Sequence, residues 1–356
     1  MKEGKIVLGI THGDINGIGY EIIIKTLSDP RITELCTPVI YGSPKVFAFY
    51  RKQLGIENFS LNLINNASEA NPKRANVINC MDDNVKVEVG RSTPQAGEGA
   101  VNALKMAVKD LKNKEIDVLL TAPINKNNVQ SESYTFPGHT EFLSEAFGSK
   151  EHLMIMVSDA MKIGVVTGHI PLKDVPSTIT QERIISKLNT LNQSLIQDFI
   201  VTKPKIAVLG LNPHCGDEGL IGTEEQQTII PAISKAKEMG IMAFGPYSAD
   251  GFFGSSAMRN FDAILAMYHD QGMIAFKTMD FDSGVNYTAG LPIVRTSPAH
   301  GTAYEIAGEN KANPNSFRSA LYMACDIFKN RKQFEQLTSN QLKKQHMDPH
   351  HSESEK

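Results

Sequence analysis

Short apolar runs alternate with amphipathic stretches along most of this chain, and polar turns separate them. The apolar runs of strand length lie at residues 5–11, 38–42, 116–121, 153–159, 162–168, 205–211, 241–253 and 262–268. Stretches with apolar residues at helical spacing lie at residues 21–29, 44–55, 100–112, 180–200 and 222–240. This alternation of buried strand, polar turn and amphipathic helix predicts an α/β fold built on a mostly parallel sheet.

Length and composition narrow the class of protein. A chain of 356 residues exceeds the size at which one hydrophobic core keeps growing, so two domains are expected. The net charge of -3, without basic blocks, argues against nucleic acid or an anionic membrane as a partner. The start of the chain does not resemble a signal peptide, and no apolar run reaches membrane-spanning length. The four cysteines are widely spaced without a CxxC pair, which favours free thiols and a cytoplasmic protein.

Three of the apolar runs end close to a histidine. His169, His214 and His269 each follow such a run, and the carboxyl ends of parallel strands share one edge of a sheet. Three imidazoles with an open position are typical of a catalytic metal site, which suits zinc, cobalt, nickel, copper or iron. Asp250 and Asp270 are further candidates as ligands, as partners of the ligands or as acid–base groups.

Groups that donate hydrogen bonds to anions lie near the last of these histidines. Lys277, Asn286 and Arg295 precede a small-residue turn at 300–303. His139 lies beside a predicted helix start, where backbone N–H groups also bind anions. Together with the histidines, these residues predict a site for a metal and an anionic substrate.

Short polar side chains are predicted to cap several helices. Thr140, Thr223 and either Asn315 or Ser316 stand at helix starts, and Asp14 lies in the turn GDINGIGYE before the first helix. The oxygens of such side chains accept hydrogen bonds from unpaired backbone N–H groups. The glycine spacing of this turn is not that of a dinucleotide-binding fingerprint, and close packing of helix against strand explains it equally well.

An ordered set of motifs resembles the 4-hydroxythreonine-4-phosphate dehydrogenase family of pyridoxine biosynthesis. The motifs are GDINGIGYEI, TAPINK, FPGHTEFL, VTGHIPL, LNPHCGDEG, GPYSADGFF, YHDQGMIAFK, VNYTAGLPIVRTSPAHGTA and IAGENKANPNS. The resemblance implies an isocitrate/isopropylmalate dehydrogenase-like fold, with two α/β/α domains and an active site in the cleft between them. It places the first domain at residues 1–130 and 290–335 and the second at 131–289. Residues 336–356 lack apolar periodicity and are predicted to form a disordered tail.

The same resemblance implies roles for individual residues. The implied metal ligands, shared across the interface of a homodimer and holding zinc, magnesium or cobalt, are His169, His214 and His269. The implied substrate-binding residues are His139, Thr140, Lys277, Asn286 and Arg295. The implied docking residues for NAD or NADP, in place of a Rossmann turn, are His300, Gly301, Thr302, Ala303 and Asn313. Asp270 and Lys277 are the catalytic candidates, and a metal-bound hydroxide is an alternative base.

The implied activity is the oxidation of 4-phosphooxy-L-threonine to 2-amino-3-oxo-4-phosphooxybutanoate, which loses carbon dioxide to give 3-amino-2-oxopropyl phosphate. The family's glycine turn usually reads GDPAGIGPE, whereas Ile15, Asn16 and Tyr20 replace two prolines and an alanine here. This departure leaves open a related substrate such as threonate or erythronate 4-phosphate. Two other classes stay as alternatives: an acyl- or phosphotransferase on a related fold, and a non-catalytic metal-dependent binding protein.

Overall fold

The structure is a computed structural model that describes residues 4–82, 84–131 and 134–339. Its strands form one twelve-stranded sheet, in the order β3-β4-β2-β1-β5-β12-β11-β6-β7-β10-β8-β9. The strands are β1 (Ile6–Thr11), β2 (Cys36–Gly42), β3 (Asn62–Leu63), β4 (Asn76–Asn79), β5 (Val118–Thr121), β6 (Leu153–Val157), β7 (Lys162–Thr167), β8 (Lys205–Leu209), β9 (Met242–Tyr247), β10 (Ala263–Tyr268), β11 (Val285–Ala289) and β12 (Val294–Pro298).

Helices connect most of these strands. They are α1 (Gly19–Leu27), α2 (Arg31–Leu35), α3 (Pro44–Gln53), α4 (Pro94–Lys112), α5 (His139–Ala146), α6 (Val175–Thr178), α7 (Gln181–Gln197), α8 (Ile230–Glu238), α9 (Ala249–Phe253), α10 (His269–Asp280) and α11 (Asn315–Thr338). No helix in the described part of the chain is both long enough and apolar enough to cross a membrane.

Two parallel blocks of strands make up the sheet. One block runs from β3 to β12 and the other from β7 to β9, and every strand pair inside a block is parallel. The blocks are joined through β11 and β6, which pair antiparallel with each other and with their outer neighbours. The prediction of an α/β fold with a mostly parallel sheet is therefore confirmed.

The junction of the two blocks is made of β11 and β6, and the turn at residues 290–293 leads from β11 into β12, the last strand of the first block. The predicted domain boundary near residue 290 lies in that turn, and the division into two domains itself stays a prediction. Helix α11 includes the first residues of the predicted tail, since it ends at Thr338. Residues 340–356 lie outside the described part of the chain.

Close approach of backbone explains the glycine turn after β1. Gly13 has φ +71°, and a Cβ atom there would lie 2.3 Å from the carbonyl oxygen of Pro123. A Cβ at Gly17 would lie 2.6 Å from the carbonyl oxygen of Thr302. The turn therefore packs against the chain after β5 at Gly13 and against the 300–303 turn at Gly17, and only glycine permits both approaches.

The capping predictions for Asp14 and Thr140 are wrong. Helix α1 begins at Gly19 without a side-chain cap, because Asp14 lies too far upstream. Its Oδ1 atom accepts a hydrogen bond from the Asn16 backbone N–H at 2.9 Å. Thr140 lies inside α5, since the chain enters that helix through the extended backbone of Gly138.

The capping predictions for the later helices are wrong as well. The segment after Thr223 opens with a π-helical turn at Glu225–Ile229, and neither that turn nor α8 has a side-chain cap. Helix α11 has Pro314 at its N-cap position and no side-chain cap. The Ser316 hydroxyl instead accepts from the Ala299 N–H and donates to the Gly284 carbonyl oxygen. Tertiary partners thus satisfy a side chain that local sequence assigned to a cap.

Two further elements differ from the sequence prediction. The strand predicted at 241–253 ends at Tyr247 and is followed by the short helix α9. The polar residues after β10 begin α10 instead of a turn.

A buried polar cluster ties the last helix to α7 and to β11 at the junction of the two blocks. Asp198, which follows α7, is 1% exposed and pairs with the Arg331 guanidinium at 2.7 Å. Its other oxygen accepts hydrogen bonds from the hydroxyls of Tyr287 and Ser194 at 2.6 and 2.7 Å. Arg331 also donates to the Tyr287 hydroxyl at 2.8 Å, so the cluster is fully connected. Burial and the Asp198 carboxylate raise the pKa of Tyr287, which keeps it a donor.

We expect Asp198→Asn to lower the free energy of unfolding by about 3 kcal/mol, because it leaves the buried Arg331 charge without its counter-charge. Urea unfolding followed by circular dichroism measures the change. Lys235→Gln, which breaks an exposed pair with Glu238, is the control and should leave the unfolding midpoint unchanged. Equal midpoints for Asp198→Asn and the wild type would contradict the role of the cluster.

A second prediction concerns His12, which is 0% exposed and stacks on Tyr20 with ring centroids 5.4 Å apart. Burial lowers its pKa from 6.5 to about 4. Below pH 6.5 the unfolded chain therefore binds a proton that the folded chain does not, and the free energy of unfolding falls towards pH 4. The loss from this one group is at most about 1.4 kcal/mol per pH unit.

His12→Phe keeps an aromatic ring beside Tyr20 and removes the titrating group. Urea unfolding at pH 5, 6 and 7 should show a shallower dependence on pH for this variant than for the wild type. The same dependence on pH in both proteins would show that the pKa of His12 does not differ between the folded and unfolded states.

Candidate functional site

A cavity of about 310 Å³ lies beyond the carboxyl ends of β5, β7 and β10, at the junction of the two blocks. In open α/β sheets this edge is the usual place for ligands. The predicted site residues that line the cavity are His139, His169, His269, Lys277, Asn286, Arg295, His300 and Gly301. The structure thus brings together residues that are far apart in sequence.

Arg295 is the most buried charge in the cavity wall, with 3% of its surface exposed. It lies in β12, whose neighbour β5 supplies the Thr121 hydroxyl as acceptor for Nη2 at 2.7 Å and for Nε at 3.1 Å. A third nitrogen, Nη1, donates to the Thr288 hydroxyl at 3.2 Å. Burial lowers the pKa of Arg295 to about 10, and the group is still a cation at neutral pH.

All of these partners are neutral. Arg295 forms no ion pair with any carboxylate among the described residues. Burying a cation without a counter-charge is costly, and an anionic ligand in the cavity would remove that cost. The exposed ammonium of Lys277 and the ammonium of Lys126 line the same space. The cavity is therefore suited to a phosphate or carboxylate.

His139 lies at the start of α5 and contacts Arg295. Its Nδ1 atom is 3.3 Å from Arg295 Nη2, which is always a donor, so Nδ1 must accept. Burial, followed by the charges of Arg295 and Lys126, holds the pKa of His139 well below its usual range. The ring is consequently neutral with its proton on Nε2, which is available as a hydrogen-bond donor.

Two buried polar atoms of the cavity wall have no hydrogen-bond partner in the described structure. They are Oδ1 of Asn286 and Nε2 of His300. Nδ1 of His300 lies 3.1 Å from the Gly301 carbonyl oxygen and must donate to it, and burial lowers the pKa of this ring. The free Nε2 is therefore an acceptor, as is the Asn286 oxygen. Unsatisfied buried acceptors of this kind indicate a ligand with hydroxyl or amide donors.

His169 and His269 lie side by side, with ring centroids 5.3 Å apart. They follow β7 and β10, which pair in parallel with Thr167 opposite Tyr268. Nδ1 of His269 lies 2.7 Å from Oδ1 of Asp270. A carboxylate on one ring nitrogen, with the other nitrogen open, is a common arrangement around metal-binding histidines. These two imidazoles can supply two ligands to a divalent ion.

The third histidine lies elsewhere. His214 does not line the cavity, and no group of three potential metal-binding side chains occurs in the described ranges. Residues 214–218 form a left-handed turn with φ between 45° and 79°, and His214 in this turn is exposed. The Glu225 carboxylate holds the entry to this turn, because its Oε1 accepts from the N–H groups of Leu211 and Asn212 at 2.7 Å.

The remaining predicted site residues do not line this cavity. Thr140 lines an adjoining cavity of about 680 Å³, and Asp270 is exposed. The Thr302 carbonyl oxygen accepts from the Ile18 N–H at 3.0 Å, and Ala303 adopts a left-handed backbone with φ 45°. Asn313 is exposed and its side chain accepts from the Asn315 N–H.

Sequence reasoning did not assign a role to several residues in these walls. Thr121 and Lys126 belong to the motif TAPINK at the end of β5 and line the cavity. Their position at a strand end is the sequence signal that could have identified them. Glu141 follows His139 by two residues in FPGHTEFL and lines the adjoining cavity. Its charge alone did not distinguish it from an ordinary residue of a first helical turn.

The mostly parallel sheet and the cationic cavity beyond its strand ends define an α/β protein with a binding site suited to a small anionic ligand. Residues 34–324 match the family model described as "Pyridoxal phosphate biosynthetic protein PdxA". The chain belongs to this family.

Relatives and solved structures agree with that assignment. A 4-hydroxythreonine-4-phosphate dehydrogenase of Bacteroides thetaiotaomicron is 53% identical over 97% of this chain and 95% of its own length. A protein of Clostridium botulinum named "Putative D-threonate 4-phosphate dehydrogenase" is 34% identical over 91% of this chain and 97% of its own.

The crystal structure of 4-hydroxythreonine-4-phosphate dehydrogenase from Klebsiella pneumoniae superposes with a TM-score of 0.80 at 32% identity, covering 92% of this chain and 98% of that one. Isocitrate dehydrogenase from Methylococcus capsulatus shares the fold, with a TM-score of 0.50 at 11% identity over 93% and 89% of the two chains. The isocitrate dehydrogenase-like fold predicted from the sequence is thus confirmed.

We expect Arg295→Met to weaken the binding of inorganic phosphate at least about tenfold, because a charge-assisted hydrogen bond to an anion is lost. Titration calorimetry measures the affinity. Without phosphate, the variant should be as stable as the wild type or more so, since it removes an uncompensated buried charge. Arg31→Gln, which changes an exposed arginine paired with Asp29, is the control. Unchanged phosphate affinity in Arg295→Met would contradict the anion site.

Proposed function

We propose that this protein is a divalent-metal-dependent and NAD(P)-dependent dehydrogenase of 4-phosphooxy-L-threonine. The product is 2-amino-3-oxo-4-phosphooxybutanoate, a β-keto acid that decarboxylates to 3-amino-2-oxopropyl phosphate on the route to pyridoxal 5'-phosphate. The observation that carries the proposal is the buried Arg295 cation, which has only neutral partners and shares one cavity with the paired histidines. Membership of the family and the names of its relatives support the same activity.

The substrate's phosphate or carboxylate is held by Arg295, with His139, Lys277 and Asn286 completing the polar wall and Thr140 extending it into the adjoining cavity. The neutral His139 donates from Nε2, and the Asn286 oxygen accepts from the substrate. Arginine suits this task because its planar fork matches the oxygens of phosphate and carboxylate.

A zinc, magnesium or cobalt ion would be held by His169 and His269, with His214 supplied by a second copy of the chain in a homodimer. When bound, such an ion lowers the pKa of a substrate alcohol, and a nicotinamide cofactor accepts the hydride. Asp270 fixes the His269 ring through Nδ1 and leaves Nε2 available as a ligand. Lys277 and Asp270 are the chain's candidates for handling the alcohol proton, since they stand at this end of the cavity.

NAD or NADP is proposed to dock on residues 300–303 and Asn313. His300 and Gly301 line the cavity, and the free Nε2 of His300 can accept from a cofactor hydroxyl or amide. The cleft between the two proposed domains, residues 1–130 with 290–335 and residues 131–289, then contains both substrate and cofactor. A cytoplasmic location stays a prediction from the unpaired cysteines.

The second candidate function is oxidation of threonate 4-phosphate, or of its relative erythronate 4-phosphate, on the same site. The name of the Clostridium botulinum relative favours this alternative. Both substrates carry the phosphate, the carboxylate and the secondary alcohol, so the residues described so far suit either.

The test of the activity is absorbance at 340 nm with metal-loaded protein, 4-phosphooxy-L-threonine and NAD or NADP. We expect reduced cofactor to form and His169→Ala and His214→Ala each to abolish it. Mixing the two inactive variants should restore about a quarter of the wild-type activity, because random pairing gives heterodimers with one intact site each. No recovery would contradict the shared metal site, and no reaction with any of the three phosphorylated acids would contradict the dehydrogenase itself.

A further inference from the structure

The glycine turn GDINGIGYE, which follows β1, has no part in the site described so far. Residues 11–24, which include this turn, are all buried. A cofactor phosphate bound at such a turn needs open backbone N–H groups. The N–H groups of Asp14, Gly17 and Ile18 already donate to backbone carbonyl oxygens of the chain. The turn is therefore occupied by protein contacts and supports other segments instead of a dinucleotide.

Asp14 is the polar centre of this turn and is 1% exposed. While its Oδ1 atom accepts from the Asn16 N–H, its Oδ2 atom accepts hydrogen bonds from the Tyr304 hydroxyl at 2.7 Å and from the Asn128 side-chain amide at 2.8 Å. These three donors belong to the glycine turn, to the segment after β12 and to the loop after β5. One buried carboxylate thus connects three parts of the chain that are far apart in sequence.

Both outer segments line the ligand cavity, whereas Asp14 lies behind its wall. The loop after β5 contributes residues 121–124 and Lys126, and the segment after β12 contributes His300 and Gly301. Asp14 is not among the lining residues. It therefore contacts the segments that carry the cavity wall and does not touch a ligand itself.

Helix α1 holds the far end of the segment after β12. The Glu21 carboxylate, 1% exposed, accepts from the Ala312 N–H at 2.8 Å and pairs with the Lys25 ammonium at 2.7 Å. Lys25 also donates to the Ala312 carbonyl oxygen at 2.9 Å. Residues 300–313, the proposed docking segment of the cofactor, are thus bound to the glycine turn at one end and to α1 at the other.

The glycine turn is itself fixed by Asn16, one of the departures from the family's usual motif. The Asn16 amide donates to the Arg91 carbonyl oxygen at 2.9 Å and to the Thr93 hydroxyl at 3.0 Å. Its side-chain oxygen accepts from the Glu88 N–H at 2.8 Å. Tertiary hydrogen bonds therefore hold a turn that prolines would otherwise pre-set.

We propose that Asp14 is a positioning residue, which accepts from the Tyr304 hydroxyl and so holds the 300–303 turn in the position that binds NAD or NADP. This inference rests on the proposed function and gives the glycine turn a role in it. Burial and the bond to Asp14 raise the pKa of Tyr304 to about 12, so the hydroxyl remains a donor. A hydrogen bond to a carboxylate is about twice as strong as a neutral one. A turn that is already ordered loses less conformational entropy when the cofactor binds.

The test is Tyr304→Phe, which removes only the hydroxyl. We expect the KM for NAD or NADP to rise about tenfold, with kcat and the KM for the phosphorylated acid changed less than about twofold. Asp14→Asn should raise the cofactor KM as well, and Tyr304→Phe should add little to it because both act through one bond. Tyr41→Phe removes a hydroxyl bound to the Asp110 carboxylate at 2.7 Å, outside the cavity wall, and should leave the cofactor KM unchanged.

Amide hydrogen exchange followed by mass spectrometry is a readout that does not need activity. Peptides from residues 299–308 should exchange faster in Tyr304→Phe than in the wild type or in Tyr41→Phe. Unchanged exchange would contradict the support of the turn by Asp14. Faster exchange with an unchanged cofactor KM, or an equal rise in KM for cofactor and acid, would contradict its role in cofactor binding.

The same measurements separate this inference from the proposed function. If the wild type oxidises none of the three phosphorylated acids, the proposed dehydrogenase activity fails. The exchange rates, together with calorimetric affinities of wild type and Tyr304→Phe for NADH and NADPH, then still decide whether Asp14 positions a cofactor-binding turn. Equal affinities in the two proteins, or no binding in either, would overturn the inference.

Discussion

The buried guanidinium of Arg295 is the constraint around which this site is organised. A cation that is 3% exposed and bound only to two threonine hydroxyls and a neutral histidine is incompletely compensated. Such a charge raises the energy of the empty protein and lowers that of the complex with an anion. It also affects His139, because burial first and the neighbouring Arg295 charge second lower the pKa of that ring. Arg295 is therefore the most buried of the cations that make this cavity suited to an anion.

That side chain can hold its position because the two parallel blocks meet beside it. β12 is the last strand of the first block, and β11 carries Asn286 on the antiparallel junction. The cluster of Asp198, Tyr287 and Arg331 fastens α11 to the same junction from the other side. Rigid elements thus support the residues that bind ligand, as a preorganised site requires.

The sequence predicted the residues of the cavity well where these residues lie at the ends of strands. His169 and His269 meet because β7 and β10 are parallel neighbours, and the sequence indicated this because both histidines follow apolar runs whose ends share one edge of a parallel sheet. Prediction failed where tertiary contacts compete with local preference. Ser316 bonds to Ala299 and Gly284 and not to its own helix, and α10 starts at a polar stretch that resembles a turn. The sequence did not indicate that Glu141 lines a cavity, because a carboxylate in the first turn of a helix is common and its surroundings are set by the fold.

His214 lies in a turn whose backbone conformation is itself unfavourable. Left-handed backbone is unfavourable by roughly 1–2 kcal/mol for each non-glycine residue, and His214, Cys215, Asp217 and Glu218 all adopt it. The buried carboxylate of Glu225 compensates by accepting two backbone N–H groups at the start of the turn. Strain of this kind persists only when the surroundings hold it, and it is concentrated at functional positions. His214 on this turn is exposed and lies outside its own chain's cavity, which suits the proposed role as a metal ligand for a second copy of the chain.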